Sequence, residues 1–327
     1  KKFKIDWGAY SPPVPAFLGR RSFDDYPLQE LVPYIDWMPF FNAWEFAGKF
    51  PDILRDKVVG EAASSLYADA TRMLNTLIAE KWLKARAVVG FFPANSVGDD
   101  DINVYSDESR QSVELRLHNL RQQKSKPQDQ AQLCLSDFIA PAQSGRADYI
   151  GAFAVTAGIG IDEHVARFEA QHDDYSSILL KALADRLAEA LAERLHERAR
   201  REFWAYAPNE QLDSTGLIRE EYQGIRPAPG YPACPDHTEK ALLWRLLDAE
   251  RTASLHLTES FAMLPTAAVS GFYFSHPKAH YFGVGKIDRD QVLSYAQRKG
   301  FTVNEAERWL APLLGYEPDV GDAADAA

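Results

Sequence analysis

Residues 226 to 237 of this 327-residue chain read Arg-Pro-Ala-Pro-Gly-Tyr-Pro-Ala-Cys-Pro-Asp-His. Four prolines and a glycine exclude a helix or a central strand, because proline fixes φ and lacks the backbone donor. The same stretch carries an arginine, a tyrosine, a cysteine and a histidine. Its carbonyls and amides cannot all pair internally, and the rings hold them in place. That is the form of a small-molecule site on a rigid loop. It is equally the form of a structural crossover between two elements, and the residues alone leave both open. Other constellations carry less. Cys234 and His237 are three apart and His276 and His280 four apart, but no further ligands at matched spacing support a structural zinc. Gly158-Ile159-Gly160 and Gly283-Val284-Gly285-Lys286 lack the glycines and the setting of a nucleotide loop. No Ser-His-Asp or Cys-His nucleophile is readable.

Several further segments stand beside the Pro-rich run. They are Tyr34-Ile35-Asp36-Trp37 with Pro39-Phe40-Phe41, residues 147–156 (Ala-Asp-Tyr-Ile-Gly-Ala-Phe-Ala-Val-Thr) and residues 168–175 (Phe-Glu-Ala-Gln-His-Asp-Asp-Tyr). Glu259-Ser260-Phe261-Ala262-Met263 and residues 269–277 (Val-Ser-Gly-Phe-Tyr-Phe-Ser-His-Pro) complete the set. Together, in this order and across most of residues 10 to 316, they resemble the activation domain of cobalamin-dependent methionine synthases. That resemblance implies a site for S-adenosylmethionine (AdoMet).

AdoMet presents an amino-acid zwitterion, a sulfonium cation, a ribose and an adenine. Its site needs a cation for the carboxylate, acidic groups for the ammonium and sugar, and an apolar slot for the base. Arg226 suits the carboxylate, because its planar fork pairs bidentately. The resemblance makes Asp36 and Glu189 ligand-binding carboxylates. On periodicity alone Ala182, Asp185, Glu189 and His196 lie opposite the leucine stripe of their helix, on what reads as a solvated face. The resemblance implies instead that the helix has two working faces, one for the core and one for ligand or partner. Ala228, Gly230 and Tyr231 are expected to line the base and methionine portions, with Tyr281 and Phe282 nearby. The family the chain resembles usually has tyrosine at the position of Phe282, so packing is expected to be kept there and a hydroxyl lost. Asp185, one turn from Glu189, and His237, at the start of the next helix with Thr238 as its expected cap, are candidates for docking the cobalamin domain.

Methyl transfer from a sulfonium needs no protein nucleophile, only donor and acceptor held in line with water excluded. The resemblance implies that the acceptor is cobalamin on a neighbouring domain, methylated after one-electron reduction by flavodoxin or a comparable reductase. Zinc, folate and homocysteine would belong to modules outside this chain, so the chain alone is not expected to make methionine. Two readings compete with this one: an interaction module with a vestigial pocket, and an independent AdoMet-dependent methyltransferase. Arg226, Asp36 and Glu189 weigh against the first, and the lack of a nucleotide fold weighs against the second.

The formal charge of −11 argues against nucleic acid or an anionic membrane as main partner. No apolar run is long enough to span a bilayer. The first residues have no apolar core of a signal peptide. Two cysteines, Cys134 and Cys234, fit a reducing cytosol. The start at Lys1 rather than Met suggests a fragment or a processed product.

The pattern predicts an extended arm over the first 20 residues, a short helix over 27–34 and a long helix over 61–83. A buried strand over 87–92 is expected to end at Pro93. A hairpin is expected over 102–106 and 113–118, and a strand over 149–156. A helix from about Asp174 to Ala205 carries Leu180, Leu183, Leu187, Leu191 and Leu195 on one stripe, capped by Asp173 or Asp174. A helix over 242–249, late strands over 255–257, 267–275 and 281–287, and two closing helices capped by Asp288 and Asn304 follow. Strands cluster apart from helices, which predicts an α+β fold around a twisted antiparallel sheet rather than a Rossmann-like one. One domain is expected over 1–320, with a frayed tail over 321–327.

Overall fold

The computed structural model describes residues 1–127 and 129–318; the expected tail lies outside them. In chain order the elements are β1 (Gly19–Phe23), α1 (Leu28–Leu31), α2 (Met38–Ala43), α3 (Gly60–Ala79), β2 (Lys84–Val97), β3 (Asp101–Tyr105) and β4 (Val113–Leu117). They continue with β5 (Asp148–Ile159), α4 (Ile161–Ala170), α5 (Asp174–Arg198), α6 (Ser214–Ile218), α7 (Glu239–Leu247) and α8 (Ala249–Ala253). The last are β6 (His256–Leu257), β7 (Met263–Leu264), β8 (Ala268–Tyr273), α9 (Arg289–Lys299) and α10 (Val303–Trp309).

Six strands form one antiparallel sheet in the order β4-β3-β2-β5-β8, with β1 beside β2. Side chains alternate across a strand, and both faces are covered. On β2 and β5 the odd-numbered Ala87, Val89, Phe91, Phe153, Val155 and Ala157 pack toward α3 and α5. The even-numbered Val88, Ala94, Ile150, Ala152 and Ala154 pack toward α7 and α8. These strands therefore read as continuous apolar runs rather than alternating ones. Pro93 does not end β2. The pairing with β1 stops at Phe91 and that with β3 starts at Ala94, so on that edge a missing amide hydrogen at 93 breaks no ladder bond.

α5 is the backbone of the site. Asp173 caps it, its Oδ1 accepting from the Ser176 amide at 3.0 Å. Leu180, Leu183, Leu187, Leu191 and Leu195 are fully buried against the sheet. At about 1.5–3 kcal/mol for each fully buried leucine, that stripe fixes the helix across β5 and β8. α5 ends in a π turn, Ala199–Phe203.

Three expectations fail locally. No strand forms over 281–287. That segment is held instead over the Pro-rich loop, with the Val284 amide donating to the Pro232 carbonyl at 2.8 Å. α10 is capped by the Thr302 hydroxyl, which accepts from the Glu305 amide at 3.1 Å, not by Asn304. Thr238 and Asp288 stand at the caps of α7 and α9 but make no side-chain cap bond. At α7 the Asp236 carboxylate takes that part, accepting from the Thr238 amide at 2.8 Å.

Candidate functional site

The Pro-rich loop lies along the free edge of β8. The Ile225 amide donates to Phe274, and the Phe272 amide donates to Pro227 at 2.9 Å, so the loop begins as a partial extra strand. This approach needs a glycine opposite: a Cβ on Gly271 would stand 2.6 Å from the Pro227 oxygen. The far end of the loop is pinned by Lys299, whose buried ammonium donates to Asp236 at 3.0 Å and to Glu239 at 2.8 Å. Between the two anchors, Gly230 turns the chain at φ +94 and rests on the His237 ring, where a Cβ would meet ring carbon at 2.3 Å. Only glycine accepts both the conformation and the contact.

Arg226 is held between this loop and α5. Its Nη1 and Nη2 donate to the two oxygens of Glu193 at 3.1 and 2.8 Å. Nη1 also lies 3.1 Å from His196 Nδ1 and 3.3 Å from the Tyr222 hydroxyl. The Arg226 amide donates to the Tyr281 hydroxyl at 3.0 Å, and Tyr281 and Tyr222 share a hydrogen bond of 2.8 Å. Burial alone would weaken the Arg226 cation, but Glu193, Tyr222 and Tyr281 together outweigh it and hold the pKa above its ordinary value. His196 is pushed the other way, by burial first and then by Arg200 and Arg226. It is therefore neutral, and its Nδ1 can accept.

Two cavities flank Arg226, Glu189 and Glu220, which line both. One, of about 320 Å³, is also lined by Tyr34, Asp36, Arg186 and Glu193. The other, of about 490 Å³, is walled by Phe153, Pro227, Ala228, Tyr231, Pro232, Val269, Tyr281 and Phe282. Burial pushes the Glu189 carboxyl up, with Arg186 and Arg226 pulling it down; Glu220 is raised by burial too, against Arg226. The groove thus offers a guanidinium, several carboxylates and an apolar slot. That donor set fits a zwitterionic ligand with a flat base, and the volumes suit a small molecule.

Residues 27–300 match the family described as the vitamin B12 dependent methionine synthase activation domain. The chain belongs to this family. It also superimposes on the crystal structure of a MetH reactivation domain bound to AdoHcy, with a TM-score of 0.94. The two chains share 58% identity, over 97% of this one and 96% of that one. The α+β fold with an antiparallel sheet is that of the activation domain.

Of the residues expected at an activation-domain site, the structure gathers Asp36, Glu189, Arg226, Ala228, Tyr231, Tyr281 and Phe282 around the two cavities. Asp36 also has a local duty: its Oδ1 accepts from the Met38 amide at 3.1 Å and starts α2. Gly230 lines neither cavity and acts through backbone shape. Phe282 packs edge-on against Phe138, with centroids 6.3 Å apart. Asp185 does not join the groove. It lies exposed in a separate concavity with Gly160, Asp162, Lys181, His256 and Leu264. His237 is exposed, with Nδ1 3.0 Å from the Lys240 ammonium.

The solvated face that periodicity alone gives opposite the leucine stripe is not one. His196 is fully buried, stacked on Tyr273 with ring centroids 5.2 Å apart. The C-terminal half of α5 is covered on that side by Tyr222 and β8; of Ala182, Asp185, Glu189 and His196 only Asp185, nearer the helix start, is exposed. Sequence reasoning missed Glu193, Tyr222 and Glu220. Glu193 had a signal: with Glu189 and His196 it forms an i, i+4, i+7 stripe. Tyr222 and Glu220 sit in an irregular segment that no periodicity marks.

Proposed function

We propose that this chain binds AdoMet in the groove around Arg226 and supplies its methyl group for reductive methylation of cobalamin carried by a neighbouring domain of methionine synthase. The observation that carries this reading is the Arg226 fork set among Asp36, Glu189 and Glu220 beside an apolar slot, in a chain closely similar to a domain solved with the demethylated product AdoHcy. Arg226 would take the ligand carboxylate, Asp36 and Glu189 the ammonium and hydroxyl groups, and Ala228, Tyr231, Tyr281 and Phe282 the flat and apolar parts. The Pro-rich loop contributes rigidity, so little ordering entropy is lost on binding.

The sulfonium is already an activated methyl donor, and its leaving group is a neutral thioether. The chain's task is therefore to orient AdoMet and exclude water. The docked cobalamin supplies the metal that receives the methyl group, after reduction by flavodoxin or a comparable reductase. Asp185 and His237 are the residues proposed at that docking surface. Alone, the chain binds AdoMet and makes no methionine. Among the described residues no helix is long and apolar enough to cross a membrane. Buried, free Cys134 and Cys234 accord with work in a reducing cytosol.

Calorimetric titration with AdoMet tests the site. The parent should bind saturably, and Arg226→Ala should bind more than about tenfold more weakly, a loss of about 1.4 kcal/mol. No binding by a folded parent would overturn the reading.

A further inference from the structure

Glu193 belongs to no expected set of ligand contacts, yet it makes the closest ion pair in the groove. Arginine has five N–H donors in a fixed fork. Glu193 takes one from Nη1 and one from Nη2. The second Nη1 hydrogen is directed to His196 Nδ1 and the Tyr222 hydroxyl. Among the described residues nothing accepts from Nε or from the second Nη2 hydrogen, which together form a complete bidentate edge. The Glu193 and Arg226 side chains are only 13% and 19% exposed. Releasing their pair would strand a largely buried carboxylate, so an incoming carboxylate gains more by joining the arrangement than by replacing Glu193.

We infer that Glu193, backed by His196, is a positioning residue of the AdoMet site. It grips Arg226 by its Nη1–Nη2 face and leaves the Nε–Nη2 edge for the ligand carboxylate. The inference rests on the reading of the groove as an AdoMet site. It gives Glu193 a role in affinity for one chemical group of the ligand, with no direct contact to it.

The test compares AdoMet with decarboxylated AdoMet, which lacks the carboxylate, by calorimetry on the parent and on Glu193→Gln. The Gln variant keeps the shape of the side chain, and thermal unfolding checks that it is folded. Glu193→Ala is the second variant. The substitutions should weaken AdoMet binding by about tenfold, the scale of one charge-assisted hydrogen bond, and change decarboxylated AdoMet by less than about twofold. Equal weakening of both ligands would overturn the inference, since the residue would then be merely structural. Unchanged or tighter AdoMet binding would also overturn it, because Glu193 would then compete with the ligand. A folded parent that binds neither ligand refutes the AdoMet site itself.

Discussion

Gly271→Ala should damage the site from behind the sheet. Gly271 sits in the middle of β8 opposite Phe153, in ordinary strand geometry, so backbone freedom is not what it provides. A Cβ there would stand 2.6 Å from the Pro227 carbonyl oxygen and 3.1 Å from the Phe153 ring. Both neighbours are fixed, one by the sheet-edge hydrogen bond to the Phe272 amide and the other by the buried core. Overpacking of this kind costs about 1–3 kcal/mol. Pushing the loop off the edge also loses the Phe272–Pro227 hydrogen bond, about 1 kcal/mol more. The sum, about 2–4 kcal/mol, should lower the urea midpoint with the slope unchanged. Arg226 is adjacent to Pro227, so AdoMet affinity should fall with it. Gly283→Ala is the control: its Cβ would lie 3.4 Å from Pro232, an ordinary contact, and stability should stay within about 0.5 kcal/mol. A Gly271→Ala protein as stable as the control would refute the argument that the loop is seated by this close approach.

Tyr281→Phe removes the acceptor of the Arg226 amide and the partner of Tyr222. It should cost about 1–3 kcal/mol in chemical denaturation and weaken AdoMet binding severalfold. His276 is buried between Trp7 and Tyr10, and its Nδ1 accepts from the Lys278 amide at 3.0 Å. Burial, then Lys278, pushes its pKa down to about 4. The unfolded chain takes up this proton near pH 6.5 and the folded one only near pH 4. Stability present above pH 6.5 is therefore lost as pH falls toward 4, by about 3 kcal/mol. His276→Phe should flatten the pH dependence of unfolding in that window; an unchanged slope difference would contradict the burial argument.

The long elements were legible because their signals are local. The α5 leucine stripe and its Asp173 cap, the hairpin of β3 and β4, and the irregular Pro-rich loop all follow from spacing and backbone chemistry. Pro93 misled because its effect depends on where two neighbouring strands begin and end, which only the sheet decides. Residues 281–287 carry strand-like composition, but their backbone groups are taken by other segments: the Val284 amide donates to Pro232, the Ile287 amide to Leu313, and the Gly283 carbonyl accepts from Gln122. At the site, Arg226, Asp36 and Glu189 were reachable through family resemblance and residue chemistry. His196 was not, because helical periodicity reports one buried face and α5 has a second one covered by segments distant in sequence. Glu193 carried the i, i+4, i+7 spacing with Glu189 and His196, but its role was not readable from it, because its partner Arg226 is 33 residues away.

Transfer of labelled methyl from AdoMet to cobalamin is the measurement that decides whether this groove is a methyl-donor site. The full enzyme bearing this domain would be prepared with oxidised cobalamin and a reductant, and methylcobalamin followed by absorbance and label. Label should appear on the cobalamin with the parent and be nearly lost with Arg226→Ala. Equal label incorporation by the two proteins would contradict a methyl donor site built on Arg226.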